Sequence, residues 1–229
     1  MRSLTKDWDE HVVEAEDVAR QPGFLALRDA IVERADANPD ATVLDLGSGT
    51  GLLTLALAPQ VAQVWALDIS PAMVDYLEAK AASAELANVN VAVASAASLP
   101  IVDESCDVVV SNYCFHHLSD RDKLRALEEC RRVLTPGGQL VFADMMFGMA
   151  LTRARDREVI SAKVKSMLRR GPAGVARLAK NVARFATARW ENPARPEWWE
   201  GALQTAGFVE ISVESLPHEG GIASAIRPQ

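Results

Sequence analysis

Residues 42–146 alternate between short apolar runs and segments with helical spacing, and this alternation constrains the fold more than any other feature of the chain. The apolar runs lie at 42–46, 64–68, 90–94, 106–111 and 139–143. They are nearly continuous in Val, Leu and Ala, which is typical of strands buried on both faces. Strands that alternate with helices over short connections predict a doubly wound, Rossmann-like α/β sheet with helices on both faces.

The intervening segments and both flanks are predicted to be helical. The expected helices are 10–20, 23–36, 51–58, 71–86, 120–134 and 197–206. Ser70 and Pro71 are a favourable helix start, since a serine can cap the first turn and proline lacks an N–H that would have no helical partner there. Two further candidate strands are 208–215 and 221–226.

Composition places the chain among ordinary globular proteins. It has 229 residues, of which 49% are hydrophobic and 24% charged, and this excludes disordered and fibrous classes. No apolar run approaches the roughly 20 residues that span a bilayer, and the polar first ten residues do not resemble a signal peptide. Three cysteines without Cys-x-x-Cys spacing argue against a disulfide framework or a zinc ribbon. A cytoplasmic protein is therefore expected.

A glycine-rich loop, Gly47 to Gly51, joins the first predicted strand to the helix after it. Glycines permit positive φ and let ligand atoms approach the backbone, and the following helix N-terminus favours an anionic group such as a carboxylate. Asp68 ends the next strand, where a carboxylate can accept both hydroxyls of a ribose. Loop and acid together predict a nucleoside-type cofactor site.

Asp45, which precedes the loop, distinguishes between kinds of cofactor. A dinucleotide site usually reads G-x-G-x-x-G, whereas residues 45–51 read D-x-G-x-G-x-G. An acid here would repel a pyrophosphate, but it can bind an ammonium group directly or through water. The loop therefore favours a cofactor that carries an ammonium group.

Four stretches resemble the class I S-adenosylmethionine-dependent methyltransferases, in particular the small-molecule type that includes quinone-biosynthesis methyltransferases. They are VLDLGSGTG (43–51), ALDISPAMV (66–74), SLPIVDESCDVVVSNYCFHHL (98–118) and RRVLTPGGQLVFADM (131–145), with a weaker match at WWEGALQTAGFVEI (198–211). The resemblance implies a seven-stranded sheet whose last strand is antiparallel, and S-adenosyl-L-methionine as the cofactor.

The resemblance also implies roles for individual residues at the cofactor. The residues concerned are Gly47, Ser48, Gly49 and Gly51 at the methionine half, Asp68 at the ribose, and Ile69 and Met73 beside the adenine. Ser95 stands where the family usually has an Asp that binds the adenine amino group, so adenine recognition is expected to use backbone groups of Ala96 and Ala97. Asn112 is expected to face the cofactor amino group through its backbone carbonyl.

The loop after the fourth strand holds the candidate catalytic side chains Tyr113, His116 and His117. Methyl transfer from a sulfonium needs alignment and exclusion of water, and it needs a base only when the nucleophile arrives protonated. Either histidine suits that task, and the alternative is that both serve packing or loop hydrogen bonds. No metal site is expected, because adjacent histidines should diverge and Cys114 with His116 supplies only two ligands.

A basic segment follows the core. Residues 151–190 contain 11 Lys and Arg and two acids, a local charge of +9 within a net charge of -7, which leaves -16 for the rest. Helical spacing predicts a hairpin over the carboxyl edge of the sheet. The resemblance implies that this insert is a lid whose apolar face shapes the acceptor pocket together with Met145, Met146 and Phe147. Its charge can attract an anionic acceptor, contact an anionic membrane surface, or simply remain solvated. Nucleic acid is not the expected partner, because no aromatic residues interleave with the basic ones before Phe185.

The sequence thus predicts a methyltransferase acting on O, N or C of a small, partly hydrophobic acceptor. The alternatives are an RNA methyltransferase that uses the basic hairpin, and an adenosylmethionine-binding protein without transferase activity. We expect a single domain with N-terminal helices (1–37), a cofactor-binding core (42–146), a helical lid insert (147–196), and a C-terminal helix with the final strands (197–229).

Overall fold

The computed structural model describes residues 8–148, 153–169, 191–216 and 219–229, together with Gly171 and Ala176. Its strands are β1 (Thr42–Leu46), β2 (Gln63–Asp68), β3 (Val89–Val93), β4 (Cys106–Asn112), β5 (Leu134–Met145), β6 (Val209–Ser215) and β7 (Gly220–Ile226). Its α-helices are α1 (Val12–Ala19), α2 (Pro22–Ala35), α3 (Thr54–Leu57), α4 (Pro71–Ser83), α5 (Asp120–Val133), α6 (Ala154–Leu168) and α7 (Pro196–Thr205). Short 3-10 turns cover Asp9–His11, Ala58–Gln60 and Phe115–His117.

The strands form one seven-stranded sheet in the order β3-β2-β1-β4-β5-β7-β6. Strands β1 to β5 pair in parallel, and β7 is antiparallel to both β5 and β6. The chain winds outward from β1 to β3 and then returns to β4 on the other side of β1. The doubly wound sheet and its antiparallel last strand are therefore confirmed, and the carboxyl ends of β1 and β4 meet at the switch point where such sheets bind ligands.

Helices cover both faces of the sheet, which explains why the strands have few polar positions. Val43, Val108 and Val141 pack with residues of α2 and α3 on one face. Leu44, Val109 and Leu140 pack with residues of α5 and α7 on the other. Because neighbouring residues of one strand enter different halves of the core, each strand is apolar at consecutive positions.

Predicted and observed bounds differ at several elements, and two of these differences have a clear physical cause. The helix after the glycine loop is only α3, followed by the 3-10 turn at 58–60, since Pro59 has no N–H with which to continue an α-helix. Strand β5 begins at Leu134 rather than 139, because Leu134 pairs with Cys106 before a register shift brings Gln139 opposite Val108.

The insert is described only in part. Helix α6 forms its first half, whereas the second predicted helical segment, 175–185, lies outside the described residues apart from Ala176. In the described ranges, no helix has both the length and the apolar character needed to cross a membrane.

Candidate active site

The glycine loop is held in place by the end of β2. Gly47 N and Ser48 N donate to Leu67 O at 2.8 and 3.0 Å. The Asp68 carboxylate accepts from Gly49 N at 2.8 Å and from Ser70 N at 2.9 Å, one donor on each oxygen. Burial raises the pKa of Asp68, and these N–H donors oppose that effect. Each carboxylate oxygen keeps a lone pair for a further donor, as a ribose diol requires.

Gly47 and Gly49 both have a positive φ, but they differ in what surrounds them. Gly47 has a φ of 71°, and a Cβ there would overlap the Sγ of Cys114. Gly49 has a φ of 50°, and a Cβ there would meet no other atom within 4 Å. Gly47 therefore permits close packing of the loop against the chain after β4, while Gly49 borders open space.

Two buried polar atoms beside the loop lack partners. Within the described ranges, neither Ser48 Oγ nor Asn112 Oδ1 has a hydrogen-bond partner. Ser48 belongs to the glycine loop and Asn112 ends β4, so both lie at the switch point. Because unpaired buried polar atoms are costly, this edge of the sheet is suited to a ligand that donates hydrogen bonds.

Asp45 is directed toward the start of α3. Its Oδ2 accepts from Thr54 N at 3.0 Å and from Thr54 Oγ1 at 2.6 Å. Complete burial raises the pKa of this carboxyl to about 7. The contacts that the structure shows for Asp45 are thus those of a group that anchors the helix after the loop.

The residues predicted beside the adenine differ in burial and in their hydrogen bonds. Ile69 is exposed next to Asp68, whereas Met73 is buried and its N–H donates to Ser70 Oγ at 3.2 Å. Ser95 Oγ accepts from Ala97 N at 3.3 Å, and Ser98 N donates to Ser95 O. The Ala97 N–H is therefore already paired inside this short turn.

The N-terminal segment connects the cofactor side of the site to the histidine loop. Asp9 Oδ1 accepts from Ser70 Oγ and, at 3.2 Å, from Ala72 N, which places it at the N-terminus of α4. The ring of Trp8 lies 4.5 Å from that of His117 in an edge-on arrangement. Residues 8–9 therefore extend from the residues after Asp68 to the 3-10 turn that carries the histidines.

His116 forms a buried pair with Asp144 at the carboxyl end of β5. Its ring Nδ1 lies 2.6 Å from Asp144 Oδ1, and both side chains are almost fully buried. Asp144 also accepts from Met145 N at 2.6 Å and from His116 N at 3.2 Å. A carboxylate with this many donors fixes the orientation of the imidazole and places the ring proton on Nδ1, so that Nε2 is the nitrogen able to accept a proton.

Tyr113 stands beside this pair in a strained conformation. It has a φ of 55°, unusual for a bulky residue, and its N–H donates to Ala143 O at 2.8 Å. Its ring lies 5.6 Å from that of His116 and 5.0 Å from that of Phe24. Burial and the nearby Glu219, Asp144 and Glu191 carboxylates raise its pKa, so the phenol stays protonated.

Residues 191–195 pack against the histidine turn. Asn192 N donates to His116 O at 2.6 Å, and Asn192 O accepts from the buried ammonium of Lys123 at 2.5 Å. Burial lowers the pKa of Lys123, and its hydrogen bond to Asp120 opposes this. Arg195 pairs with the buried Asp156 of α6 at 3.0 Å. Residues 191–195, at the end of the insert, are thereby joined both to the histidine turn and to α6.

An apolar wall lies beside Tyr113. Met145 and Phe147, at and after the end of β5, form a separate buried cluster with Val159 of α6, and Tyr113 packs against it. Met146, which the sequence suggested for the same wall, packs instead in the main core between the sheet, α5 and α7. Two of the insert's basic residues bond to the rest of the protein, Arg153 to Glu197 at 2.9 Å and Arg155 to Leu216 O at 3.2 Å.

The structure therefore gathers at one edge most of the residues that the sequence singled out, and adds others. Asp144 was missed, although it ends an apolar strand as Asp68 does, and that position was a signal. Glu191 and Asp9 carried no such signal, since they reach the site through contacts between distant segments.

The fold and the glycine-loop geometry are those of a protein that binds a nucleoside-type cofactor. Comparison with known proteins identifies the family. Residues 43–138 match the family described as "Methyltransferase domain". An uncharacterized methyltransferase of Bacillus velezensis is 30% identical over 173 residues, 74% of this chain and 72% of that protein. The malonyl-[acyl-carrier protein] O-methyltransferase of Methylococcus capsulatus is 40% identical over 107 residues, which are 46% of this chain but only 38% of the relative.

Solved structures show the same fold. A SAM-dependent methyltransferase from Aquifex aeolicus superposes with a TM-score of 0.66 at 22% identity, covering 95% of this chain and 97% of that one. Phosphoethanolamine N-methyltransferase 2 of Haemonchus contortus, solved with S-adenosyl-L-methionine, gives 0.74 at 18% identity, covering 96% of this chain and 57% of that one. This chain belongs to the class I S-adenosylmethionine-dependent methyltransferases, and its cofactor is S-adenosyl-L-methionine.

The residues present fit this cofactor. The unpaired Asn112 Oδ1 can accept from the cofactor's ammonium group, and Ser48 Oγ can donate to its carboxylate. Asp68 retains acceptor capacity for the ribose hydroxyls, and the open space at Gly49 admits ligand atoms close to the backbone.

Proposed function

We propose that this chain transfers a methyl group to O, N or C of a small, partly hydrophobic acceptor, and that His116 takes up the acceptor's proton. The observation that carries the proposal is the 2.6 Å contact between His116 Nδ1 and Asp144 Oδ1 at the carboxyl edge of the sheet. A buried imidazole held by a carboxylate in this way is the arrangement of a general base.

Each residue contributes to transfer through its position. Bound S-adenosylmethionine supplies a methyl group on a positively charged sulfur. Asp144 keeps the proton of His116 on Nδ1, so Nε2 can remove a proton from a hydroxyl or amine and thereby create the nucleophile. The positive charge that His116 gains is compensated by Asp144, which is itself fully buried.

The surroundings of His116 support an acceptor with an apolar part. Tyr113, Met145, Phe147 and Val159 supply an aromatic and aliphatic wall, and Trp8 covers His117 from the N-terminal side. Such a wall excludes water from the reacting atoms and binds the acceptor's carbon skeleton. The name of the Methylococcus capsulatus relative, an O-methyltransferase, supports oxygen as one candidate for the accepting atom.

The test measures S-adenosylhomocysteine formation with a panel of small phenols, carboxylic acids and amines. His116→Gln and Asp144→Asn are expected to lower kcat about 100-fold or more, since general bases contribute at least that much. Affinity for S-adenosylmethionine, measured by calorimetry, should be unchanged in both. Glu200→Gln, an exposed change on α7, is the matched control and should keep the parent rate.

The pH dependence separates a base from a packing residue. If His116 is the base, the pH–rate profile of the parent should change shape in His116→Gln, whereas loss of a packing contact should lower the rate equally at every pH. A His116→Gln variant that keeps the parent rate would contradict a role of His116 as the base.

A further inference from the structure

The histidine turn gathers more ligand atoms than a single base requires. A ring nitrogen of His116, a ring nitrogen of His117 and a carboxylate oxygen of Glu191 all lie within 4.8 Å of one another. Adjacent histidines were expected to point apart, but these two imidazole rings lie close together. The 3-10 turn at 115–117 brings their centroids to 3.8 Å. Glu191 comes from a distant part of the chain and is held there because Asn192 N donates to His116 O.

The hydrogen bonds around His116 match those of a metal ligand. Histidines that bind metals usually donate their other N–H to a carboxylate, which fixes the tautomer and the ring orientation. Asp144 does this at His116 Nδ1, so Nε2 is the nitrogen available to an ion. His116 is buried and fixed, whereas His117 and Glu191 are exposed and can adjust to an ion.

We propose that His116, His117 and Glu191 bind a divalent transition-metal ion of the Zn²⁺ type. Two imidazoles and one carboxylate are a set that suits Zn²⁺, whereas Mg²⁺ and Ca²⁺ prefer oxygen ligands. At Zn–N distances of about 2.0–2.1 Å, tetrahedral ligand atoms are about 3.4 Å apart. The ligand atoms lie within 4.8 Å of one another, and rotation of the exposed His117 and Glu191 side chains can bring them to this spacing, with the fourth position open to water.

Metal binding at these residues would also affect catalysis. This effect rests on the proposed function, whereas the metal site itself does not. Coordination uses the lone pair on His116 Nε2, and this is the lone pair that would take up the acceptor's proton. An ion at the site and a base at His116 therefore exclude each other. The ion is an inhibitor of methyl transfer that competes for the base.

The binding test uses the full chain freed of metals by a chelator and then titrated with ZnCl₂ in a calorimeter. The parent should bind one equivalent, and both Glu191→Gln and His117→Ala should weaken binding at least 10-fold. Because Asp144 supports the ligand His116, Asp144→Asn should weaken it by about 10–100-fold. Glu200→Gln and His11→Ala, which remove a carboxylate and an imidazole outside the cluster, should bind like the parent.

Two results would overturn the site: no stoichiometric binding by the parent, or binding that Glu191→Gln leaves unchanged. Co²⁺ gives a second readout, since four-coordinate binding should produce visible absorption in the parent that is lost in Glu191→Gln.

Activity separates the two proposals. Inhibition by Zn²⁺ that a chelator reverses supports both. Stoichiometric binding in a protein that methylates none of the panel contradicts the proposed function alone. Transfer at the full rate with Zn²⁺ bound would overturn the inhibitory role.

Discussion

Asp68 shows at the scale of a single residue how one carboxylate serves both the protein and a ligand. Its two oxygens accept from Gly49 N and Ser70 N, so the side chain joins the glycine loop to the start of α4. The two N–H donors stabilise the ionised carboxylate against burial. A ribose diol adds donors to a carboxylate that is already oriented, which lowers the cost of binding.

Asp68→Ala is expected to weaken the affinity for S-adenosylmethionine about 10-fold or more. The variant loses charge-assisted hydrogen bonds to the ribose and also the N–H contact that orients Gly49. Calorimetric titration with the cofactor measures the change. Asp75→Ala, an exposed position on α4, is the matched control, and equal affinities for the two variants would exclude Asp68 from the site.

At the scale of elements, the N-terminal segment and α1 cover the cofactor side of the sheet by a few polar contacts. Asp9 bonds to the first turn of α4, and Glu16 of α1 accepts from Lys80 at 2.9 Å. Lys80 in turn donates to Thr50 O of the glycine loop, also at 2.9 Å. The loop that should touch the cofactor is thus connected to the helix that covers it.

Asp9→Ala is expected to weaken cofactor binding about fivefold and to speed its dissociation. Asp9 adds a hydrogen bond to the first turn of α4, and loss of such a bond costs about 1 kcal/mol, a factor of about five if the segment docks fully only over bound cofactor. Stopped-flow dissociation of the cofactor measures the effect. Glu10→Ala changes the neighbouring exposed acid and should have no effect, so identical rates for both variants would contradict a covering role of Asp9.

Across the whole molecule, the order of the strands decides which residues can meet. The site draws on the ends of β1, β2, β4 and β5 and on the segment before α7. The ends of these strands are adjacent because the order of winding reverses between β3 and β4, which places β4 beside β1. The same arrangement buries Asp45 completely beneath the loop. Asp45 therefore connects the site to the stability of the entire fold.

The free energy of unfolding should depend on pH through Asp45. Its pKa of about 7 in the folded protein exceeds the ordinary aspartate value of 3.8, so the unfolded state releases the proton first as pH rises. Stability is accordingly lost as pH rises from about 4 toward 7. Asp45→Asn, which keeps an acceptor for Thr54, should gain up to about 3 kcal/mol on the parent between pH 5 and pH 8.

Urea unfolding at both pH values, without cofactor, measures this difference. The exposed Asp75→Asn serves as the control and should follow the parent at every pH. A constant difference between Asp45→Asn and the parent from pH 5 to pH 8 would show that Asp45 titrates as an ordinary carboxyl.

Much of the architecture could be predicted from local patterns. The five parallel strands, the serine cap at Ser70 and the glycine loop followed by Asp68 depend on residue spacing and backbone preferences that lie within a few positions of one another. Bounds were less accurate where a distant contact intervened, as at β5, whose start depends on the pairing of Leu134 with Cys106. The roles predicted for individual site residues remain predictions that the experiments above test.

The sequence alone determined the class of fold and the position of the cofactor loop, because periodicity and turn chemistry are encoded locally, and its motifs indicated the family by resemblance. Only the tertiary structure decided that His116 meets Asp144, that Glu191 joins the two histidines, and that Gly47 must lack a side chain because Cys114 packs on it. Each of these contacts joins segments that are brought together by strand order and register. No local sequence pattern predicts which segments will meet in this way.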